Sequence, residues 1–187
     1  MRNLNLSNVS DNHNRLPAGG YVVEITNVED HPMDANTHKG DYLNIDFDIA
    51  EGQYKDYYYG MYKDYGFWGG HLIRSYKPKA LGMFKAFINE LKKDNPGFNW
   101  DMDAENDEHS MIGCKFGVVL GEKEYRGNDG SIKTRLEVTK ILPIQKIHNG
   151  EFEVPALVKL ESAPASTGVV DTTKQESFEE LNKEVPF

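Results

Sequence analysis

The chain lacks most features of a secreted or membrane-embedded protein. Only one of its 187 residues is a cysteine, Cys114, which excludes an internal disulfide framework and a cysteine-rich zinc site. No stretch approaches the roughly 20 apolar residues that a membrane span needs. The opening MRNLNLSNVSDNHNRLP has no apolar core of the kind found in signal peptides. These absences favour a reducing, cytoplasmic setting.

Recognisable catalytic motifs are also missing. The sequence contains neither a Gly-rich phosphate loop ending in Lys-Ser/Thr nor a G-x-S-x-G motif. The acidic run DMDAENDEHS has carboxylates at alternate positions, but Asn106 stands where a calcium loop needs glycine and Ile112 where it needs a bidentate glutamate. The sequence therefore predicts a non-enzymatic protein without cofactor or metal. A metal-dependent nuclease using Asp46 and Asp48 is the catalytic alternative.

The net charge of −9 hides a strongly uneven distribution. Residues 54–93 carry eight basic and three acidic groups, a net charge of +5. Residues 111–148 carry seven basic and four acidic groups, a net charge of +3. Because a polyanion responds to the local patch and not to the total charge, two basic blocks in an acidic chain remain compatible with nucleic-acid binding.

The pattern of apolar residues predicts one domain between two polar ends. Residues 1–15 are polar and Asn-rich, which predicts a flexible N-terminal arm, and residues 149–187 predict a linker and an acidic tail. In the intervening 16–148 domain, YLNIDFDI alternates apolar and polar residues as a half-buried strand does. The expected strands are 21–28, 42–49, 54–62, 112–125 and 133–144. The segment EFEVPALVKL is expected to add a short strand or to dock on the domain.

One helix is expected between the third and fourth strands. Pro78 suits its first turn, and Leu81, Phe84, Ile88 and Leu91 recur at helical spacing. Three strands, a helix and two strands form the order of an OB-fold, so the predicted class is mainly β, a five-stranded barrel with one helix. An α+β domain of another topology is the alternative.

Aromatic and basic residues alternate densely between Tyr54 and Lys79, a composition typical of surfaces that bind single strands by base stacking and phosphate contacts. If this segment begins as a strand, Tyr57 and Tyr59 face one side and Tyr58 and Tyr62 the other; the sequence does not decide which set is exposed. A second basic cluster lies in the hairpin EKEYRGNDGSIKTR. The candidate nucleic-acid-binding residues are Tyr42, Tyr57, Tyr58, Tyr59, Tyr62, Tyr65, Phe67, Trp68, Arg74, Lys77, Lys79, Lys123, Tyr125, Arg126, Lys133 and Arg135.

Three stretches of the domain resemble one family. They are LPAGGYVVEI, the central GDYLNIDFDIAEGQYKDYYYG, and GVVLGEKEYRGNDGS. Together they resemble small proteins of phages and prophages of Gram-positive bacteria that are regarded as single-stranded DNA-binding proteins. The resemblance covers about 16–148, and it implies an OB-fold, a role in DNA replication or recombination, and no catalytic residues.

The end of the chain, SFEELNKEVPF, is similar to the tip of bacterial single-stranded DNA-binding proteins. There the terminal Phe and its carboxylate bind a basic-rimmed pocket on replication and repair enzymes. Carried over, the resemblance implies recruitment of such partners, with the apolar anchor and its acidic flank formed by Phe187, Pro186, Val185, Glu184, Glu180 and Glu179.

The sequence therefore predicts sequence-independent binding of single-stranded DNA. The non-enzymatic alternative is an OB-like adaptor protein whose aromatic surface binds another protein and not DNA. No membrane partner is expected, and a homo-oligomer remains open.

Overall fold

A computed structural model describes residues 15–37 and 40–160. Five strands form one sheet in which all neighbouring pairs are antiparallel. They are β1 (Gly19–His31), β2 (Tyr42–Ile49), β3 (His71–Ser75), β4 (Lys115–Arg126) and β5 (Ile132–Leu142). The helices are α1 (Tyr57–Tyr65), α2 (Leu81–Asp94) and α3 (Ile144–His148). None of the helices in these ranges is long and apolar enough to cross a membrane.

The sheet has the order β3-β2-β1-β4-β5, and α2 lies between the third and fourth strands of the chain. A mainly β architecture with a helix at that point is therefore confirmed. In the described ranges no ladder joins β3 to β5, so the hydrogen-bonded sheet is open. The closed barrel and the OB-fold stay predictions.

The core lies between the sheet and α2, as the apolar periodicity predicts, except that Leu81 of the expected helix face is exposed and Phe84 is half-buried. Leu43, Ile45, Phe47 and Ile49 of β2 are all buried. From α2, Phe87 packs edge-on against Phe116 of β4, with ring centroids 5.3 Å apart. Such edge contacts suit the ring quadrupoles, so the alternation in β2 and the helical spacing in α2 meet in one apolar layer.

The predicted third strand over 54–62 is wrong, because most of this segment is α1. The chain enters the helix through Asp56 in the left-handed region, at φ 60°, and leaves it through Gly66 at φ 68°. The true third strand, β3, begins nine residues after the predicted one ends. Tyrosine-rich segments favour strands, but hydrogen bonds from the backbone of the helix to Asp48 of β2 override that preference here.

Gly70 occupies a position where no side chain fits. A Cβ there would overlap the carbonyl oxygen of Phe47 and approach Cδ2 of Tyr58 to 2.7 Å. We expect Gly70→Ala to lower the free energy of unfolding by about 1–3 kcal/mol, the usual effect of overpacking. Gly82→Ala in α2 is the matched control, since a Cβ there meets nothing within 4 Å. It should be neutral or stabilise by up to about 1 kcal/mol. Urea denaturation followed by circular dichroism measures both, and equal effects would contradict the close packing at Gly70.

The segment 150–160 docks on the domain, which is one of the two outcomes expected for EFEVPALVKL. Its Phe152 ring covers Gly20, and Pro155 packs beside Gly121. Val158 forms an isolated parallel bridge with Lys123, donating its N–H to Glu122 O at 3.0 Å. The contact lies on the β1 side of β4, beyond the point where β1 pairing ends at Leu120.

Candidate nucleic-acid interface

Helix α1 is held at its start by a carboxylate from the neighbouring strand. Asp48 of β2 accepts the backbone N–H groups of Tyr58 at 2.8 Å and Tyr59 at 2.9 Å, and also its neighbour Ile49 at 2.7 Å. The residue in the N-cap position, Asp56, makes no side-chain bond to the helix. Burial raises the pKa of Asp48, while the three N–H donors oppose that rise. The cap that a local side chain usually supplies therefore comes from the sheet.

The inner side of α1 belongs to the core. Tyr58 is 5% exposed, and its ring meets Phe47 edge-on at 5.8 Å. Tyr57, Tyr54 and Tyr21 continue this row of edge contacts. Burial, together with the nearby Tyr54 and Tyr57, raises the pKa of Tyr21 to about 12. Because Tyr58 is buried, no base can stack on its ring. The segment is a helix, so the two alternating strand faces that the sequence left open do not exist.

The outer side of α1 presents the candidate stacking rings. Tyr59, Tyr62, Tyr65 and the following Phe67 are each 54–56% exposed. We call these four residues the aromatic surface. The three tyrosines recur every third residue, so they lie along one side of the helix. Lys63 of the same helix has its ammonium 5.7 Å from the Tyr59 ring centroid. Flat, solvent-facing rings beside a cation are what base stacking with a phosphate contact requires.

The segment 66–70 connects the aromatic surface to β3. Trp68 is half-buried, its ring centroid 6.3 Å from that of Tyr62, and its Nε1 donates to Gly70 O at 3.2 Å. His71, the first residue of β3, lies 2.6 Å from Trp68 O through Nε2 and 2.6 Å from Asp46 Oδ1 through Nδ1. Sequence reasoning missed His71, because its partner Asp46 is 25 residues away and no local pattern marks the pair.

The basic hairpin, formed by the candidate residues between 123 and 135, carries its own counter-charges. Arg135 pairs with Glu137 at 2.5 Å, and Lys123 reaches the same carboxylate at 3.6 Å. Lys133 pairs with Asp129 at 3.1 Å. The Lys133–Asp129 pair is exposed and contributes about 0–1 kcal/mol, so a phosphate can exchange for that carboxylate at little cost, whereas Arg135, Lys123 and Glu137 are partly buried.

The remaining candidates are dispersed. Tyr42 stacks on His31, with centroids 4.7 Å apart, at the far end of β2. Lys77 and Lys79 lie in the turn before α2. Arg74 is 9% exposed and packs over the Phe87 ring at 5.2 Å, where burial lowers its pKa to about 10. Arg74 is thus a core side chain in this structure, and the candidate residues of the tail lie outside the described ranges.

The carboxylates of the catalytic alternative, Asp46 and Asp48, accept hydrogen bonds from neighbouring parts of the fold. Asp46 accepts from the side chains of Asn27 and Asn44 as well as contacting His71, and Asp48 caps α1. The acidic loop is organised by Asn106, whose amide donates to Asp101 O at 2.6 Å. In the described ranges one group, Asp107, Glu108 and His109, has ligand atoms close enough together for a metal ion. It is not the set of carboxylates that the sequence pattern suggested, and acidic groups of this kind are common without a metal.

Comparison of the chain with protein-family models and with the curated proteins finds no match to either. Four aromatic side chains are exposed on α1 and on the segment that follows it, whereas Tyr58 and Arg74 are buried.

Proposed function

We propose that the chain binds single-stranded DNA without regard to sequence, in phage or prophage DNA replication or recombination. The observation that carries the proposal is the aromatic surface: three exposed rings on α1 and a fourth on Phe67, two residues beyond its end. Exposed rings cost solubility and gain nothing from the core, whereas each base stacked on such a ring contributes about 1–3 kcal/mol. The resemblance to phage single-stranded DNA-binding proteins supports the same function and a location in the cytoplasm of the bacterial host.

The proposal assigns two roles to two surfaces. The aromatic surface stacks bases, and the basic hairpin contacts the phosphates that follow along the strand. The proposal includes no catalytic step. Recruitment of replication or recombination proteins through Phe187 and its acidic flank is part of the proposal and rests on the resemblance of the tail alone.

A fluorescence titration with oligo-dT at about 50 and 200 mM salt tests the function directly, because Trp68 contacts Tyr62 and should report stacking. We expect quenching by the single strand and not by duplex of equal length. The logarithm of the binding constant should fall with the logarithm of salt concentration at a slope of about −0.7 for each phosphate contacted. Three to five contacts at the basic hairpin give a slope of about −2 to −3.5.

A matched pair of variants assigns the slope to the basic hairpin. Arg126 is exposed at the end of β4, where its side chain donates to Gly130 O at 3.3 Å. Arg126→Ala should lower the magnitude of the slope by about 0.7, whereas Lys146→Ala in α3 should leave it unchanged. A protein adaptor that uses the aromatic surface would show neither quenching by oligo-dT nor a steep salt dependence.

A further inference from the structure

His71 makes two hydrogen-bond contacts that a neutral imidazole cannot make together. Its two ring nitrogens face Asp46 Oδ1 and Trp68 O, each at 2.6 Å. A backbone carbonyl and an ionised carboxylate only accept hydrogen bonds, and a neutral imidazole has a single N–H donor. Only the doubly protonated ring satisfies both oxygens.

The surroundings of His71 favour that cationic form. The charged groups that face it are Asp46 from β2 and, at longer range, Glu29 from β1. The hydrogen bond that His71 donates to Asp46 is the main cause that raises the pKa of His71, aided by Trp68 O and opposed by burial. Burial opposes ionisation of Asp46, but its bonds to His71, Asn27 and Asn44 lower its pKa overall, so the carboxylate stays charged.

The bond to Trp68 O reaches the backbone beside the aromatic surface. Phe67 belongs to that surface, and Trp68 is the next residue, packed on Tyr62. The segment begins at Gly66, which has a left-handed conformation at φ 68° and donates its N–H to Tyr62 O at 2.8 Å as the helix ends. A hydrogen bond from β3 to Trp68 O thus fixes the exit of α1 against the sheet.

We propose that protonated His71 is a positioning residue for the aromatic surface: it joins the carbonyl of Trp68 to Asp46 of β2, and its deprotonation releases Phe67 and Trp68. The consequence for DNA binding rests on the proposed function; the positioning itself does not. Because the pKa of His71 is raised in the folded state, the contribution is complete below the unfolded value of about 6.5 and is lost as pH rises through the folded value. The aromatic surface is therefore ordered in mildly acidic solution and loosens on the alkaline side.

A single-tryptophan protein makes the positioning visible without DNA. The chain has two tryptophans, and Trp100→Phe keeps an aromatic ring beside Phe84 and Phe98 while leaving Trp68 as the reporter. We expect the Trp68 emission to shift between about pH 5.5 and 9, with a midpoint above about 6.5. In the same background His71→Gln should abolish the transition. Asp46→Asn should move the midpoint down by about one pH unit, because it removes the charge that favours the imidazolium.

His109→Gln is the matched control, because His109 also pairs with a carboxylate, that of Asp107 at 3.1 Å, but lies in the turn before β4. It should leave the transition unchanged. Persistence of the transition in His71→Gln would overturn the proposal, and so would its absence from the Trp100→Phe parent. If His71→Gln fails to fold, the imidazole protons of the unmodified chain, followed by NMR, decide instead: a His71 midpoint at or below about 6.5 overturns the proposal.

Repeating the oligo-dT titration on both sides of the midpoint separates this proposal from the proposed function. Affinity that falls on the alkaline side in the parent, and not in His71→Gln, supports both. Absence of binding at either pH contradicts the proposed function, while the Trp68 emission still decides the role of His71.

Discussion

Replacing Asp48 with alanine is expected to lower the free energy of unfolding by roughly 3 kcal/mol and to abolish binding to oligo-dT. The substitution removes the acceptor of three backbone N–H groups, two of which are buried. An N–H group left unsatisfied in that position costs about 1–3 kcal/mol. Burial of the carboxylate, which raises the pKa of Asp48, offsets part of that loss and keeps the expected total below the sum of the three.

The loss should concentrate on α1, because that helix has no side-chain cap of its own. Asp48→Asn keeps one carbonyl acceptor and should show a smaller effect than Asp48→Ala. Asp64→Ala, an exposed acidic residue of α1 itself, is the matched control and should change stability by less than about 0.5 kcal/mol. Urea denaturation followed by circular dichroism measures stability. If Asp48→Ala and Asp64→Ala prove equal, the sheet does not hold the helix through this carboxylate.

The double substitution Tyr59→Ala with Phe67→Ala is expected to weaken binding to oligo-dT by on the order of a hundredfold or more, since each stacked ring contributes about 1–3 kcal/mol. Both side chains are more than half exposed, so the free energy of unfolding should change little. Tyr59→Phe retains the ring and should retain affinity, which separates stacking from hydrogen bonding by the hydroxyl.

Two further variants complete that experiment. Leu81→Ala removes an exposed apolar side chain of α2, outside the aromatic surface, and should leave the affinity unchanged. Tyr58→Ala opens the core beside Phe47 and should lower stability by about 3–5 kcal/mol. Undiminished affinity in the double variant would remove base stacking from the proposed function.

Local sequence patterns predict those elements of the fold whose packing partners are close in sequence, or whose packing requires only that the partner be apolar. The alternating apolar residues of β2 and the helically spaced apolar residues of α2 each define one apolar face, and burial against any apolar layer stabilises such a face. The segment YKDYYYGMY has high strand preference, yet it is helical because its N–H groups find Asp48, which precedes Tyr58 by ten residues. No window within the segment contains that information.

Arg74 shows the same limit for the site. As a basic residue among aromatic residues it fits a phosphate-binding surface, but β3 pairs Arg74 with the buried Leu43, so the two side chains share the core side of the sheet. The side to which a residue in a short strand points is set by the register with its neighbour, and a five-residue strand is too short to display the register in its own sequence. Which side chains of α1 face solvent can be assigned only once the segment is known to be a helix.

Helix α2 contacts both β3 and β5, the two outermost strands of the sheet. One element thus supports both edges of a sheet in which the pairing of β1 with β4 joins residues as distant in sequence as Gly19 and Leu120. Neither end can peel away without exposing the apolar face of the helix on which the other end also rests. We therefore expect the domain to unfold cooperatively and, because of the long-range pairing of β1 with β4, to fold slowly for its size.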